Sequence, residues 1–415
     1  MALDLSSFDA MLKNHYSPKT VMNLATQENI LFGLLKKSAS RELVGGRNWI
    51  QPIQIALPGG GSSNFAKAMA ATNNNSLYKA FTITRSKHYR LARIDNETIE
   101  ATATGKQDAF EPAFDEFDNA IEAEANYINF RLFRGAGGSI GRMTNASFAT
   151  TTLTLDDPSG VWGIRQGDVL RLTPNADGSS LRTGTLTVAS VTRTGPNAGQ
   201  VVLTGNISAG VAAAAASDYV IIDGDEAGAC SGLADWCPDA APTSTLFFGV
   251  DRTVEPDYLG GIRIDATDGR SVPNALMDVT AAIQNLGKNP NTVIMNPLTF
   301  AATAKQMDGK WVITQPAGYG QDKVASAGFS ALEVNLGGAS LKIYQDRCCP
   351  VKKIYTTDLS TWTLFSAGAA PNFLQKRAGS ILKVSENYDG YEARVGEYYN
   401  LSNSAPGYTG VILLP

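Results

Sequence analysis

Phe110, Phe114, Phe117, Ile121, Ile128 and Leu132 recur at helical spacing, with Ala125 filling the gap, and predict one long helix over Glu111–Phe133. At 1.5 Å per residue it runs about 35 Å. Its single apolar stripe is read as facing a sheet. Pro112 is tolerated only because it falls in the first turn, Arg131 and Arg134 sit near the negative end of the helix dipole, and Gly135 supplies a stop. Asp108, Glu111, Asp115, Glu116, Asp118, Glu122 and Glu124 occur without a basic residue between Lys106 and Arg131. Paired carboxylates can serve acid–base catalysis, but acidic residues spread over a helix are read here as a solvated face.

Composition shifts after Gly135. From Met143 to Asp223 there is no Lys, and short strands are expected at Thr151–Leu155, Asp168–Leu172, Thr185–Val191, Gln200–Leu203 and Tyr219–Ile222. Five strands separated by Gly, Pro and Asn turns predict a small barrel or sandwich over residues 143–224. Gly137-Gly138-Ser139-Ile140-Gly141 matches the Gly-x-Ser-x-Gly nucleophile pattern but has a helix before it and strands after it, the reverse of what that motif requires. Only His15 and His88 could act as its base, so Ser139 is read as part of a flexible linker. Asp223-Gly224-Asp225-Glu226 lacks full calcium-loop spacing and is read as a solvated connector.

Residues 47–95 predict a long hairpin, with Ile53–Leu57 going out and Phe81–Thr84 followed by Tyr89-Arg90-Leu91 returning. Its tip, with Gly59-Gly60-Gly61 and Asn73-Asn74-Asn75, is too polar to pack on itself and lacks the ending of a phosphate-binding loop. A two-stranded hairpin is marginal alone in water, so it needs a partner surface. Arg85, Lys87, His88, Arg90 and Arg93 make its returning strand basic. The first 46 residues show no globular core, only two short helical patterns, one from Leu3 to Leu12 and one at Ile30, Leu31, Leu34 and Leu35.

The chain has 415 residues, enough for two or three domains, and a formal charge of −4. That balance argues against a protein built to grip nucleic-acid phosphates. No apolar run approaches the roughly 20 residues needed to cross a bilayer, and no secretory signal pattern opens the chain. Cys230, Cys237, Cys348 and Cys349 lack zinc-site spacing and are expected to be buried free thiols.

The order of motifs from Gly249 onward carries a resemblance. Gly249-Val250-Asp251-Arg252, an amphipathic helix around Pro273–Leu286, a buried strand Val293-Ile294-Met295 ending in Asn296-Pro297, and a helix over Leu298–Lys305 follow one another. This resembles the core of tailed-bacteriophage major capsid proteins, the Hong Kong 97-like shell subunits. Ser231-Gly232-Leu233 and the segment from Asn387 to Leu401 also match the family's pattern. The insertion at 143–224 does not, and no hairpin Lys can be matched to the family's covalent cross-link.

The resemblance implies an α+β Hong Kong 97-like capsid fold with an N-terminal arm (1–46), an extended hairpin loop (47–100) and a spine helix opening the peripheral domain (101–142). After the inserted all-β domain (143–224) come the rest of the peripheral domain (225–270), the axial domain (271–371) and C-terminal strands returning to both (372–415). It also implies a non-enzymatic subunit, without cofactor or metal, that self-assembles into hexamers and pentamers of an icosahedral virion head enclosing double-stranded DNA. Expected partners are its own copies, then portal, scaffold or cement proteins, with no membrane; assembly would take place in the bacterial host cytoplasm. No cleaved scaffolding segment is expected ahead of Met1. Arg85, Lys87 and Arg90 are expected to face Glu111, Asp115, Glu122 and Glu124 of an adjacent subunit. A soluble β-rich binding module, with the insertion as its ligand-binding part, is the alternative reading.

Overall fold

The computed structural model describes residues 29–38, 48–73, 75–97, 111–226, 228–306, 332–336, 338–374, 382–385 and 389–415. The helical pattern from Leu3 to Leu12 and the acidic residue Asp108 lie outside them. Three six-stranded sheets and one two-stranded hairpin make up the β structure among these residues.

The expected long helix spans Glu111–Leu132 (α3 below; α1 is Ile30–Leu34 and α2 is Phe65–Met69). Its C-terminal half is largely buried, taking in Ile128, Phe130 and Leu132 but also Glu124, Asn129 and Arg131. A solvated acidic face is therefore the wrong description for this half. Gly232 seals its end by donating its N–H to Arg134 O at 2.9 Å. A side chain there would collide with the carbonyls of Arg131, Leu132 and Arg134, so only glycine fits.

Beneath the helix lies a sheet built around the long strand Gly390–Asn403, which pairs with Ser86–Asp95 (β4), Trp362–Ser366, Asn372–Phe373 and Leu382–Val384. The described part of the N-terminal segment joins its edge, with Lys36–Ser38 (β1) running parallel to Trp362–Ser366. Here Leu31, Phe32 and Leu35 are buried within their own chain, where the Leu31 N–H donates to Asp346 and the Phe32 N–H to Asn129.

The hairpin differs from its predicted form. Among the described residues Trp49–Ala56 (β2) pairs only with Leu77–Ile83 (β3), and the chain then turns so that β4 leaves for the sheet under the helix. The two halves of the predicted returning strand thus belong to different sheets. Trp49, Phe81 and Ile83 root the hairpin in the core, with Phe81 edge-on to Trp236 at 5.0 Å and Trp49 stacked on Phe365 at 5.6 Å.

A third sheet runs in the order 262–265, 409–413, 353–357, 292–295, 339–345, 332–336 and mixes parallel with antiparallel pairs. Helix Val272–Asn285 (α4) covers one face through Val272, Ala275, Leu276, Val279 and Ile283. Gly410 lets the sheet approach closely, since a side chain there would strike Val279. Strand 292–295 is fully buried, as its unbroken apolar run predicts. Asn296 accepts from the Leu298 N–H at 3.0 Å, capping helix Pro297–Gln306, and donates to Cys349 O at 2.8 Å. The predicted domain limits at 270 and 371 cut across these sheets, because Ile262–Asp265 belongs to this one and Trp362–Ser366 to the one under the long helix.

The Lys-poor segment forms the remaining sheet, in the order 139–142, 219–222, 169–173, 186–192, 200–203, 152–154. A bridge between Met143 and Leu155, with the Asp156 N–H donating to Arg142 O at 2.8 Å, closes it into a barrel. All five predicted strands are present. The sixth is Ser139–Arg142, so Ser139 opens a barrel strand and is not in a linker.

Candidate functional site

Strand alternation places Ser86, His88, Arg90, Ala92 and Ile94 on the face of β4 that meets the long helix, leaving Lys87, Tyr89, Leu91 and Arg93 outward. Across the strand pair, His88 lies directly opposite Glu397. From above, the helix lowers Glu124 onto both. His88 Nδ1 contacts Glu124 Oε1, and Arg90 Nε donates to Glu124 Oε2 at 3.0 Å. The His88 ring stacks on Tyr127, centroids 3.7 Å apart.

Burial alone would raise the Glu124 carboxyl, but hydrogen bonds and charge from His88 and Arg90 outweigh it and hold Glu124 below the usual range. Glu397 has the opposite fate. Burial first, and then the Glu124 carboxylate beside it, push it up to about 10.

This arrangement corrects one expectation. Arg90 and Glu124 do meet, but within one chain, with Glu124 wholly buried there, so both are withdrawn from the set facing an adjacent subunit. Lys87 is exposed, Arg85 is half-buried, and Glu122 is half-buried on the helix. Glu111 and Asp115 lie in the first turns of the helix, and their side chains are outside the described residues.

The connector at 223–226 is not merely solvated either. Tyr127 Oη donates to Asp225 Oδ2 at 2.7 Å, Arg131 Nη2 pairs with the same oxygen, and Arg131 Nη1 donates to Gly138 O at 2.8 Å. Entry to and exit from the barrel are thereby tied to the long helix. The spacing of Tyr127 and Arg131, one helical turn apart, was the available signal; that Asp225 would complete the set was not visible in sequence.

All four cysteines are buried and free. Burial pushes the Cys230, Cys237 and Cys348 thiols up to about 12 and Cys349 well above its ordinary value, so they are poor nucleophiles.

The hairpin presents the opposite situation. Beyond its rooted base, Leu57, Phe65, Met69 and Tyr78 are 77%, 81%, 71% and 64% exposed. Four large apolar side chains on the hairpin are thus left uncovered by the described residues, more than isolated surface hydrophobes usually amount to. The short helix α2 displays two of them, its start capped by Asn64 accepting from the Lys67 N–H at 3.3 Å.

With a long helix over one sheet, a hairpin and a second helix-covered sheet, the chain has the fold of a phage capsid protein. The solved capsid asymmetric unit of cyanophage A-1(L) is similar to this chain with a TM-score of 0.52 and 13% identity over 97% of each. The capsid of the native GTA particle gives 0.48 at 9% identity, covering 99% of this chain and 98% of that one. The holo-SrpI encapsulin complex from Synechococcus elongatus gives 0.46 at 9% identity, covering 100% and 96%. Compared by sequence, the chain matches no family model and no curated protein. No helix among the described residues is long and apolar enough to cross a membrane.

Proposed function

We propose that this chain is the structural major capsid protein of an icosahedral phage head, self-assembling into hexamers and pentamers around double-stranded DNA. The observation that carries this reading is the hairpin, whose base is locked into the core while its apolar tip is left uncovered on a capsid-type fold. In this reading the long helix is the spine, the hairpin is the extended loop lying over a neighbour, and residues 29–38 are the end of the N-terminal arm. The barrel is an inserted domain on the outer surface, and the sheet under α4 is the axial domain meeting its equivalents round the capsomer axis. The chain acts as a building block, not an enzyme. Arg85 and Lys87 near the start of β4 and Glu111, Asp115 and Glu122 on the helix are its proposed charged contacts between subunits. Assembly belongs to the host cytoplasm, with portal, scaffold or cement proteins as further partners.

Burial of apolar area at about 25 cal/mol per Å² drives the association, offset by the entropy of ordering the hairpin. Size-exclusion chromatography and cryo-electron microscopy of the purified chain test the proposal. Shells or five- and six-membered rings support it. A monomer at every concentration and salt condition, with a small molecule or peptide bound at the barrel, would favour the binding-module reading instead.

A further inference from the structure

The cluster under the long helix holds more ligand chemistry than its hydrogen bonds use. Glu397 is 2% exposed; its carboxyl lies within hydrogen-bonding reach of the Glu124 carboxyl, and among the described residues no N–H reaches either of its oxygens. A buried carboxylate with no donor is costly to keep unless a proton or a cation occupies its lone pairs. Beside it stand a second carboxylate, Glu124, and an imidazole, His88, each from a different element, and one ligand atom from each of the three lies within 4.8 Å of the others.

We propose that His88, Glu124 and Glu397 form a binding site for one divalent transition-metal ion, with Zn²⁺ the best match. One imidazole nitrogen and two carboxylate oxygens suit a borderline metal better than Mg²⁺ or Ca²⁺, which prefer all-oxygen shells. Ligand bonds of about 2.0–2.2 Å place the donor atoms of a tetrahedral site roughly 3.3 Å apart. The direct His88–Glu124 contact therefore opens on binding while the widest separation closes. Water takes the fourth position, reaching the site past the His88 side chain, which is 18% exposed.

Two features already orient the ligands. Arg90 holds Glu124 Oε2, so that Oε1 is turned toward His88, and the Tyr127 ring fixes the plane of the imidazole. The two strand ligands are cross-strand partners and the third comes from the helix. The ion thus clamps the long helix to the sheet below it. The inference does not depend on whether the chain assembles.

The test is Zn²⁺ titration by calorimetry on the full chain after treatment with a chelator, compared with Glu397→Gln and His88→Gln. The Glu397→Gln change keeps the side-chain shape and turns an amide donor toward Glu124, so the fold is retained; unchanged far-ultraviolet circular dichroism checks this. The wild type should bind one Zn²⁺ per chain, raising Tm, and Co²⁺ in its place should give visible absorption bands of low symmetry. Each substitution should weaken binding at least 100-fold. Absence of Zn²⁺ binding in the wild type, or equal binding by Glu397→Gln, which would locate the ion elsewhere, such as at the cysteines, overturns the proposal.

Discussion

Asp346 shows how one residue can decide whether distant segments stay together. Only 1% exposed, its carboxylate accepts from the Leu31 N–H at 3.2 Å, the Cys348 N–H at 2.9 Å and Asn129 Nδ2 at 3.0 and 3.2 Å. It thereby joins the N-terminal segment, the long helix and the loop before Cys348. Removing the acceptor strands three buried donors, so Asp346→Ala should lose about 3–5 kcal/mol in urea unfolding. Burial raises the Asp346 carboxyl above its ordinary value, although the donors pull the other way. A raised acid contributes stability that is complete below its unfolded pKa of about 4 and is lost as pH rises through the folded pKa. Asn at this position cannot ionise. The cost of Asp346→Asn should accordingly be largest near pH 4 and shrink as pH rises; a cost that grows with pH would refute the sign.

At the scale of elements, the hairpin separates folding from the proposed association. Phe81, Ile83 and Trp49 belong to the core, whereas Phe65 and Met69 on α2 touch little of their own chain. Phe65→Ser together with Met69→Ser should change monomer unfolding by under about 0.5 kcal/mol. The same pair should raise the concentration needed for assembly at least tenfold, measured by light scattering. If both quantities moved together, the tip would be packed within the subunit after all. The strand after the hairpin tells a related story in reverse. Its basic composition invites a surface reading, yet alternation turns His88 and Arg90 inward, because β4 is covered by the helix on that face.

For the whole molecule, the issue is how far the barrel is separable. Its apolar interior, with Leu153, Leu170, Leu172, Val188, Val201 and Val220 all buried, closes on itself, so the excised segment 139–224 should fold alone and give a dispersed NMR spectrum. The remainder should suffer more. Phe130 packs against Gly163, Arg134 Nη2 donates to Ser159 at 2.6 Å, and Asp225 neutralises the fully buried Arg131. Replacing the barrel and Asp225 with a Gly/Ser linker should therefore destabilise the rest by at least about 3 kcal/mol, the scale of an unpaired buried charge. Retaining Asp225 in the linker should recover much of that loss.

What could be read locally was read from periodicity. The 3.6-residue stripe of α3 and α4, the two-residue alternation of the barrel strands, the buried run at Val293–Met295 and the turn residues between them are nearest-neighbour properties, legible because each element's pattern depends only on its own residues and on having one covered face. The order of those elements likewise sufficed to suggest the capsid-type fold. Pairing partners were not legible. That β4 abandons the hairpin for Gly390–Asn403, far along the chain, depends on which surface is covered by the helix, and no local signal carries that. The same holds for charge. Glu124 and Asp225 look like ordinary solvated carboxylates in sequence, and only the three-dimensional packing puts an arginine beside each and leaves Glu397 without a donor among the described residues, because burial and partnership are set by residues far away along the chain.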